Sequence, residues 1–133
     1  MIFGDRTNCA RWECILLAVR SFSLQRHCLT LDLRPDPELI VEYINLHRIG
    51  RPEIHQSIRE SGVQAMEIYH LDGRLFMIMD TSDDFTFERK AALDLANPAV
   101  QEWEKLMSRF QDVNSGSDPT KRWMLMENIF NLL

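Results

Sequence analysis

Apolar and polar residues alternate where the main body of the chain begins, which is the pattern of a partly buried β-strand. From Cys28 to Leu33 the alternation has a period of two, and Pro35 ends the run. A second apolar segment near the end of the chain, residues 123–130, is short and clearly bounded. We predict a strand there as well, although periodicity alone does not separate it from a helix.

Two apolar runs in the middle of the chain predict a β-hairpin. They cover residues 65–71 and 75–81, and Asp72 and Gly73 between them tolerate the positive φ that a tight turn needs. In the second run, residues of both parities are apolar, so both faces of this strand are expected to be buried. We therefore predict a homodimer in which the sheets of two copies face each other.

A helix is predicted directly after the first strand. Asp36 is a suitable N-cap, because Pro37 then takes the first helical position. Four residues follow at the spacing i, i+3, i+4, i+7: Ile40, Tyr43, Ile44 and His47. This spacing places them on one helix face, so Tyr43 and His47 are expected to point inward.

Glycine and proline mark a break in the chain just past His47. Gly50 interrupts the first helix, and Pro52 starts a shorter one that stops at Gly62, since glycine is common just after a helix C-terminus. The inward-facing histidine is thus expected near the end of a helix.

Two more helices are predicted after the hairpin. The acidic run 80–84 lacks the glycine turn and terminal glutamate of a calcium loop, so it is most simply a helix start at Asp83 or Asp84. Asn97 caps the next helix, with Pro98 at its first position. One face of that helix carries Trp103, Leu106, Met107 and Phe110.

The predicted order of elements is β-α-β-β-α-β, the ferredoxin-like α+β arrangement, in which an antiparallel sheet carries its helices on one face. Residues 24–133 are expected to form this single domain, since a chain of 133 residues suits one core. Residues 1–23 show no clear period and are expected to be an N-terminal extension. A short helix packed on the domain, a frayed and disordered end, and a wrongly assigned start codon all stay open for them.

Composition and charge narrow the range of partners. Hydrophobic residues make up 45% of the chain and charged residues 26%, as in an ordinary folded domain. A net charge of −5 without a cluster of Lys and Arg argues against nucleic acid as a partner. No apolar run approaches the roughly 18 residues that cross a bilayer, so we expect a cytoplasmic protein without a membrane partner.

The sequence contains no motif of cofactor or metal chemistry. Its glycines are scattered and form no phosphate-binding loop. Cys9, Cys14 and Cys28 have neither a CxxC pair nor a histidine at metal-ligand spacing, so they are expected to be free thiols. We expect no metal and no cofactor.

His47 is the best candidate acid or base, because an imidazole exchanges protons near neutral pH and Tyr43 lies one turn earlier on the same face. A hydrogen-bonded histidine at a helix end, without a catalytic role, fits the spacing as well. Trp103 suits the C–H face of a sugar ring, but it equally begins an ordinary core stripe. Glu67 and Tyr69 share a strand face, where binding of hydroxyl groups and hydrogen bonding across a dimer interface both stay open.

An ordered series of segments resembles the L-rhamnose mutarotase family over nearly all of residues 24–133. It consists of the first strand, Tyr43-Ile-Asn-Leu-His47, Pro52-Glu53, Ser61-Gly62, Ile68-Tyr69, Leu75-Phe-Met-Ile-Met79, Val100-Gln-Glu-Trp103-Glu-Lys-Leu-Met107 and Glu127-Asn-Ile-Phe130. The order of the series is more specific than any of its pieces.

This resemblance implies a dimeric ferredoxin-like α/β barrel that interconverts the α and β anomers of L-rhamnose or L-fucose without metal or cofactor. The implied partner is thus a monosaccharide. His47 matches the family's catalytic histidine, and Tyr43 and Trp103 match residues that bind the substrate. Met66 stands where some members have a substrate-contacting tyrosine, and we place it with the substrate-binding residues.

Departures from the family pattern keep two alternatives open. Besides Met66, Arg51 replaces the tryptophan usually found before Pro-Glu. These changes motivate a non-catalytic sugar-binding or interaction module on the same dimeric fold. A cofactor-free oxygenase is the other alternative, and it rests on analogy of fold alone.

Overall fold

The structure, a computed structural model, describes residues 24–112 and 122–133. Within these ranges the elements are β1 (Gln25–Asp32), α1 (Pro37–Ile49), α2 (Pro52–Glu60), β2 (Val63–Leu71), β3 (Arg74–Thr81), α3 (Phe87–Ala96), α4 (Pro98–Met107) and β4 (Met124–Leu125). The mixed α+β class is as predicted. The expectations for residues 1–23, including Cys9 and Cys14, lie outside the described residues.

The four described strands form one antiparallel sheet in the order β2-β3-β1-β4. β1 and β3 pair along their whole length, from Gln25 with Thr81 to Asp32 with Arg74. β2 and β3 form the predicted hairpin, and both turn residues have positive φ, 48° for Asp72 and 81° for Gly73. The two-residue loop is therefore the tight turn that the sequence indicated.

The last strand is much shorter than predicted. β4 pairs with β1 only through Met124 and Leu125, and the backbone N–H of Met126 still reaches the carbonyl of Cys28 at 2.7 Å. Residues 127–133 leave the sheet, and Ile129 is 87% exposed. The prediction of a strand over 123–130 was therefore wrong for these residues. An apolar run indicates that its side chains tend to be buried, but it does not show that its backbone has a neighbouring strand to pair with.

The core lies between the helices and one face of the sheet. Burial alternates along β3, where Leu75, Met77 and Met79 are buried while Phe76 and Ile78 are only partly covered. Within a single chain the helices cover one face of β3, and burial of the other face, expected in a homodimer, stays a prediction.

Side-chain caps mark where α1, α3 and α4 begin. The Asp36 carboxylate accepts from the backbone N–H of Glu38 at 3.0 Å, which confirms the predicted cap of α1. Asn97 likewise caps α4 through the N–H of Ala99 at 3.1 Å. In the described part of the chain no helix is long and apolar enough to span a membrane.

α3 starts later than the acidic run suggested. Its cap is Thr86, whose hydroxyl accepts from the backbone N–H of Arg89 at 3.1 Å, so the predicted start at Asp83 or Asp84 was wrong. The reason is tertiary, because Phe85 lies in this stretch and is only 5% exposed. The chain turns first to bury Phe85 and enters the helix afterwards.

Gly50 connects α1 to α2 in a conformation that only glycine adopts readily. Its φ of 69° and ψ of 173° are strained for any residue with a Cβ, and a Cβ there would lie 2.7 Å from the His55 ring. Its N–H also closes α1 by donating to the Leu46 carbonyl at 2.9 Å. α1 therefore ends within three residues of His47.

We expect Gly50→Ala to lower the free energy of unfolding by about 1–3 kcal/mol, because alanine strains this backbone. Urea denaturation measures the change, and Ile49→Ala, at a side chain that is 82% exposed, is the control. An alanine variant as stable as the wild type would show that the turn does not depend on glycine.

Candidate active site

A cavity of about 1380 Å³ lies between the inner face of the helices and the sheet. His47, Tyr43, Trp103 and Met66 all contribute to its lining. The structure thus brings the four site residues predicted from the sequence to the wall of one cavity.

His47 belongs to a cluster of aromatic rings near the end of α1. The centroid of its imidazole lies 4.2 Å from that of Tyr43 and 5.4 Å from that of Trp103. Tyr43 also contacts Phe110, with 5.9 Å between centroids, so the cluster is continuous with the core. One helical turn on α1 and one inward face of α4 are enough to assemble these rings.

The hydrogen bonding of His47 determines its tautomer. Its Nδ1 lies 2.9 Å from the backbone carbonyl oxygen of Tyr43. A carbonyl oxygen only accepts, so Nδ1 carries the hydrogen and Nε2 keeps its lone pair. Burial lowers the pKa of His47 below 6.5, although the bond to the Tyr43 carbonyl opposes this effect. Near neutral pH the ring is therefore a neutral base.

Tyr43 is held as a neutral phenol. It is 2% exposed, and burial raises the pKa of its hydroxyl far above the usual 10, while a hydrogen bond with Gln111 acts in the opposite direction. The hydroxyl keeps its proton at any physiological pH. The site therefore combines a neutral base and a neutral hydroxyl on one helix turn.

Trp103 and Met66 supply the apolar walls of the cavity. Met66 packs at the sheet side with the core cluster around Met77 and Met79. The guanidinium of Arg51 lies 5.1 Å from the centroid of the Trp103 ring, within cation–π range. The arginine that departs from the family pattern thus contacts the predicted sugar-binding tryptophan.

Sequence reasoning missed a polar wall formed by α3 and α4. Lys90 and Asp94 form an ion pair at 2.6 Å, and the Gln101 amide donates to the backbone carbonyl of Asp94 at 2.8 Å. Burial, and then the negative charge of Asp94, raise the pKa of Glu104. The i,i+4 spacing of Lys90 and Asp94 was the one local signal available.

Sequence reasoning also missed Gln111 and Arg122 as residues of the cavity wall, because no local sequence pattern indicates their position. Nη1 of Arg122 lies 3.2 Å from Oε1 of Gln111 and 3.4 Å from the backbone carbonyl oxygen of Glu104. Gln111 is 4% exposed. The two residues stand outside any periodic segment and meet only in the folded chain.

Glu67 and Tyr69 contact each other. They pair with Ile78 and Phe76 of β3, and so lie on the sheet face turned away from the helices. The Tyr69 hydroxyl donates to Oε2 of Glu67 at 2.6 Å. Within 24–112 and 122–133 no group of three His, Cys, Asp or Glu side chains is placed to hold a metal ion.

Sequence comparisons identify relatives of this chain. The L-rhamnose mutarotase family model matches residues 26–132. An L-fucose mutarotase of Xanthomonas campestris pathovar campestris is 39% identical over 112 residues, which are 83% of this chain and 90% of that protein. A UPF0734 protein of Dictyostelium discoideum is 29% identical over 119 residues, 84% of this chain and 93% of its own length.

Solved structures show the same fold. An L-rhamnose mutarotase from Formosa agariphila superposes with a TM-score of 0.62 and 20% identity, covering 82% of this chain and 99% of that one. The tetracenomycin F2 cyclase of Streptomyces glaucescens reaches 0.51 with 16% identity, covering 82% and 97%. At such identities the likeness concerns the fold alone.

The fold and the sequence matches define the class of protein, a carbohydrate isomerase that interconverts sugar anomers. Within that class, the chain belongs to the L-rhamnose mutarotase family. The resemblance carried by the ordered segments is thereby confirmed, and the alternative of a non-catalytic module is not favoured.

We expect His47 to titrate below 6.5 in the folded protein. Its NMR C2–H signal, assigned by its absence in His47→Gln, should report this midpoint, and the chain unfolded in urea provides the reference. As pH falls, the imidazole is therefore protonated in the unfolded chain before it is protonated in the folded protein. The free energy of unfolding should decrease as pH falls through the unfolded pKa of His47, and this decrease should end below the folded pKa. A folded midpoint at or above 6.5 would mean that the ring is not desolvated as described.

Proposed function

We propose that the protein is a cytoplasmic enzyme that interconverts the α and β anomers of a deoxyhexose, L-rhamnose or L-fucose, by general acid/base catalysis at His47. The observation that carries this proposal is the neutral imidazole on the cavity wall, with Nδ1 occupied by the Tyr43 carbonyl and Nε2 left as an acceptor. Family membership supplies the reaction class, and the geometry of His47 supplies the base.

Interconversion of the anomers requires only a base and a proton donor. In ring opening, Nε2 of His47 takes the proton of the anomeric hydroxyl as the bond between C1 and the ring oxygen breaks, and the ring oxygen receives a proton from Tyr43 or water. The product is the open-chain aldehyde. After rotation about the C1–C2 bond, the ring oxygen attacks the other face of the carbonyl and both protons return.

The apolar part of the cavity suits a deoxysugar. A 6-deoxyhexose carries a methyl group where a hexose has a hydroxymethyl group, and the methionine surface around Met66 can receive that methyl group without leaving a hydroxyl unpaired. Trp103 offers its ring to the C–H face of the pyranose. These contacts favour L-rhamnose or L-fucose over D-glucose.

Saturation-transfer NMR on L-rhamnose, L-fucose and D-glucose tests this proposal. We expect exchange between the anomers of one deoxysugar well above the spontaneous rate, and a loss of about 10²–10⁴-fold in His47→Gln, since the amide is a poor proton acceptor. His27→Gln, at an imidazole of β1 that does not line the cavity, is the matched control and should keep full activity. Sugar binding without accelerated exchange would favour the binding module instead.

We also propose that two copies associate through the sheet faces turned away from the helices and so close a ferredoxin-like α/β barrel. Phe76 and Ile78 lie on this face and are only partly covered, and Tyr69 beside them is 55% exposed. The tail past β4 adds further exposed apolar side chains, among them Phe130 at 73%. Exposed apolar side chains in such number are typical of a surface that another chain covers.

We expect Ile78→Asp to convert the dimer to a monomer, because a carboxylate at the centre of an apolar interface would be buried without a partner. Light scattering after size exclusion should show the wild type at twice the chain mass of 15.6 kDa and the variant at that mass. Leu95→Asp, on the exposed face of α3, should leave the dimer intact. A monomeric wild type would refute the proposed association.

A further inference from the structure

Helix α3 turns a charged face toward the cavity. Lys90 and Asp94 both line it, one helical turn apart, and their side chains form an ion pair with 2.6 Å between Nζ and Oδ2. We propose that this pair binds hydroxyl groups of the sugar and sets which deoxyhexose the enzyme accepts. The inference rests on the mutarotase activity proposed above, and the two residues act in it by binding the substrate.

The burial pattern of α3 is the reverse of an ordinary surface helix, which turns its apolar side chains inward. Asp94 is the buried residue of α3, at 9% exposed, and Lys90 and Ala91 beside it are partly covered. Leu93 and Leu95 are 44% and 64% exposed. The charged residues of α3 thus face the interior of the domain, and its leucines face outward.

Stability of the fold explains this pair poorly. The side chains of Lys90 and Asp94 are 23% and 12% exposed, so both charges have lost most of their contact with water. The attraction between two buried charges offsets that loss only in part, and apolar side chains of similar size are often as stabilising. A few polar groups on the wall of a largely apolar cavity are, by contrast, what orients a bound ligand.

The hydrogen-bonding groups of the pair suit two neighbouring hydroxyls. An ammonium has three hydrogens to donate, and a carboxylate has two oxygens that accept. The contact between Nζ of Lys90 and Oδ2 of Asp94 leaves further donors on the ammonium and a second oxygen on the carboxylate. Lys90 can therefore donate to the oxygen of one hydroxyl while Oδ1 of Asp94 accepts the hydrogen of the next. Such bonds to charged groups are stronger than bonds between neutral groups.

Contacts with α4 hold the pair close to the aromatic wall of the site. The Gln101 amide donates to the backbone carbonyl of Asp94 at 2.8 Å and reaches Oε2 of Glu104 at 3.4 Å. Trp103 lies in the same turn of α4, and its ring is 5.4 Å from that of His47 between centroids. A sugar with its anomeric carbon at His47 and its ring against Trp103 therefore extends toward α3.

The two candidate sugars differ in the hydroxyl groups that such a pair would bind. L-rhamnose and L-fucose have opposite configurations at C2 and C4 and the same configuration at C3. A donor and an acceptor fixed side by side fit two adjacent hydroxyls in one configuration. The other sugar leaves a buried charge without its hydrogen bond, which is the strongest form of discrimination that binding supplies.

The double variant Lys90→Met/Asp94→Leu tests the inference, because it removes both charges and leaves neither unpaired. We expect KM for the preferred deoxysugar to rise about 10- to 100-fold with kcat little changed, since hydrogen bonds to the bound sugar are lost. The ratio of kcat/KM between L-rhamnose and L-fucose should move toward one. Urea denaturation should give a free energy of unfolding no lower than that of the wild type.

Gln56→Met/Glu60→Leu is the matched control. It replaces another polar pair at i,i+4, bonded at 2.9 Å on the exposed side of α2, and neither residue lines the cavity. KM and the sugar preference should stay as in the wild type. Asp94→Asn, which keeps the size of the side chain, measures the same two quantities and decides the question if the double variant unfolds.

Two results would overturn the inference and leave the mutarotase proposal intact. One is an unchanged KM and an unchanged sugar preference in the folded variants of the pair. The other is an equal loss for both sugars together with a lower free energy of unfolding, which would make the pair structural. A wild-type chain that exchanges the anomers of none of the sugars would overturn both proposals.

Discussion

The hydrogen bond between Nδ1 of His47 and the Tyr43 carbonyl is the contact on which the site depends. It spans one turn of α1, fixes the imidazole tautomer and turns the ring onto that of Tyr43. The helix ends at Gly50 soon afterwards, so no further turn of α1 covers the ring. A base with a defined lone pair is thus obtained from a single helix end, without a separate carboxylate to orient it.

Burial acts on the two titratable groups in opposite directions and leaves both neutral. It lowers the pKa of His47 and raises that of Tyr43, because each charged form loses hydration. A neutral base beside a neutral acid matches an uncharged substrate, since proton exchange with the sugar leaves the net charge of the site unchanged. Lys90 and Asp94, which also line the cavity, neutralise each other in an ion pair.

The structural features that the sequence predicts correctly are those that depend on residues only a few positions apart. The cap at Asp36, the Asp72-Gly73 turn and the inward direction of Tyr43 follow from local spacing and backbone preference. The extent of β4 and the start of α3 do not, because each is decided by contacts made elsewhere in the fold. Gln111 and Arg122 belong to this second group.

Trp103 and Arg51 show how such distant contacts bear on selectivity. From the sequence, position 103 fits a core stripe as well as a sugar-binding wall. In the fold Trp103 is half-buried, with the Arg51 guanidinium against its ring. A tryptophan at position 51 would make this wall apolar, whereas arginine brings several N–H donors to it. A wall that donates hydrogen bonds rejects a sugar lacking the matching hydroxyl more strongly than an apolar wall does. Under the proposed function, the departure at Arg51 therefore bears on which sugar is accepted, while His47 and Tyr43, the residues proposed to move the protons, match the family pattern.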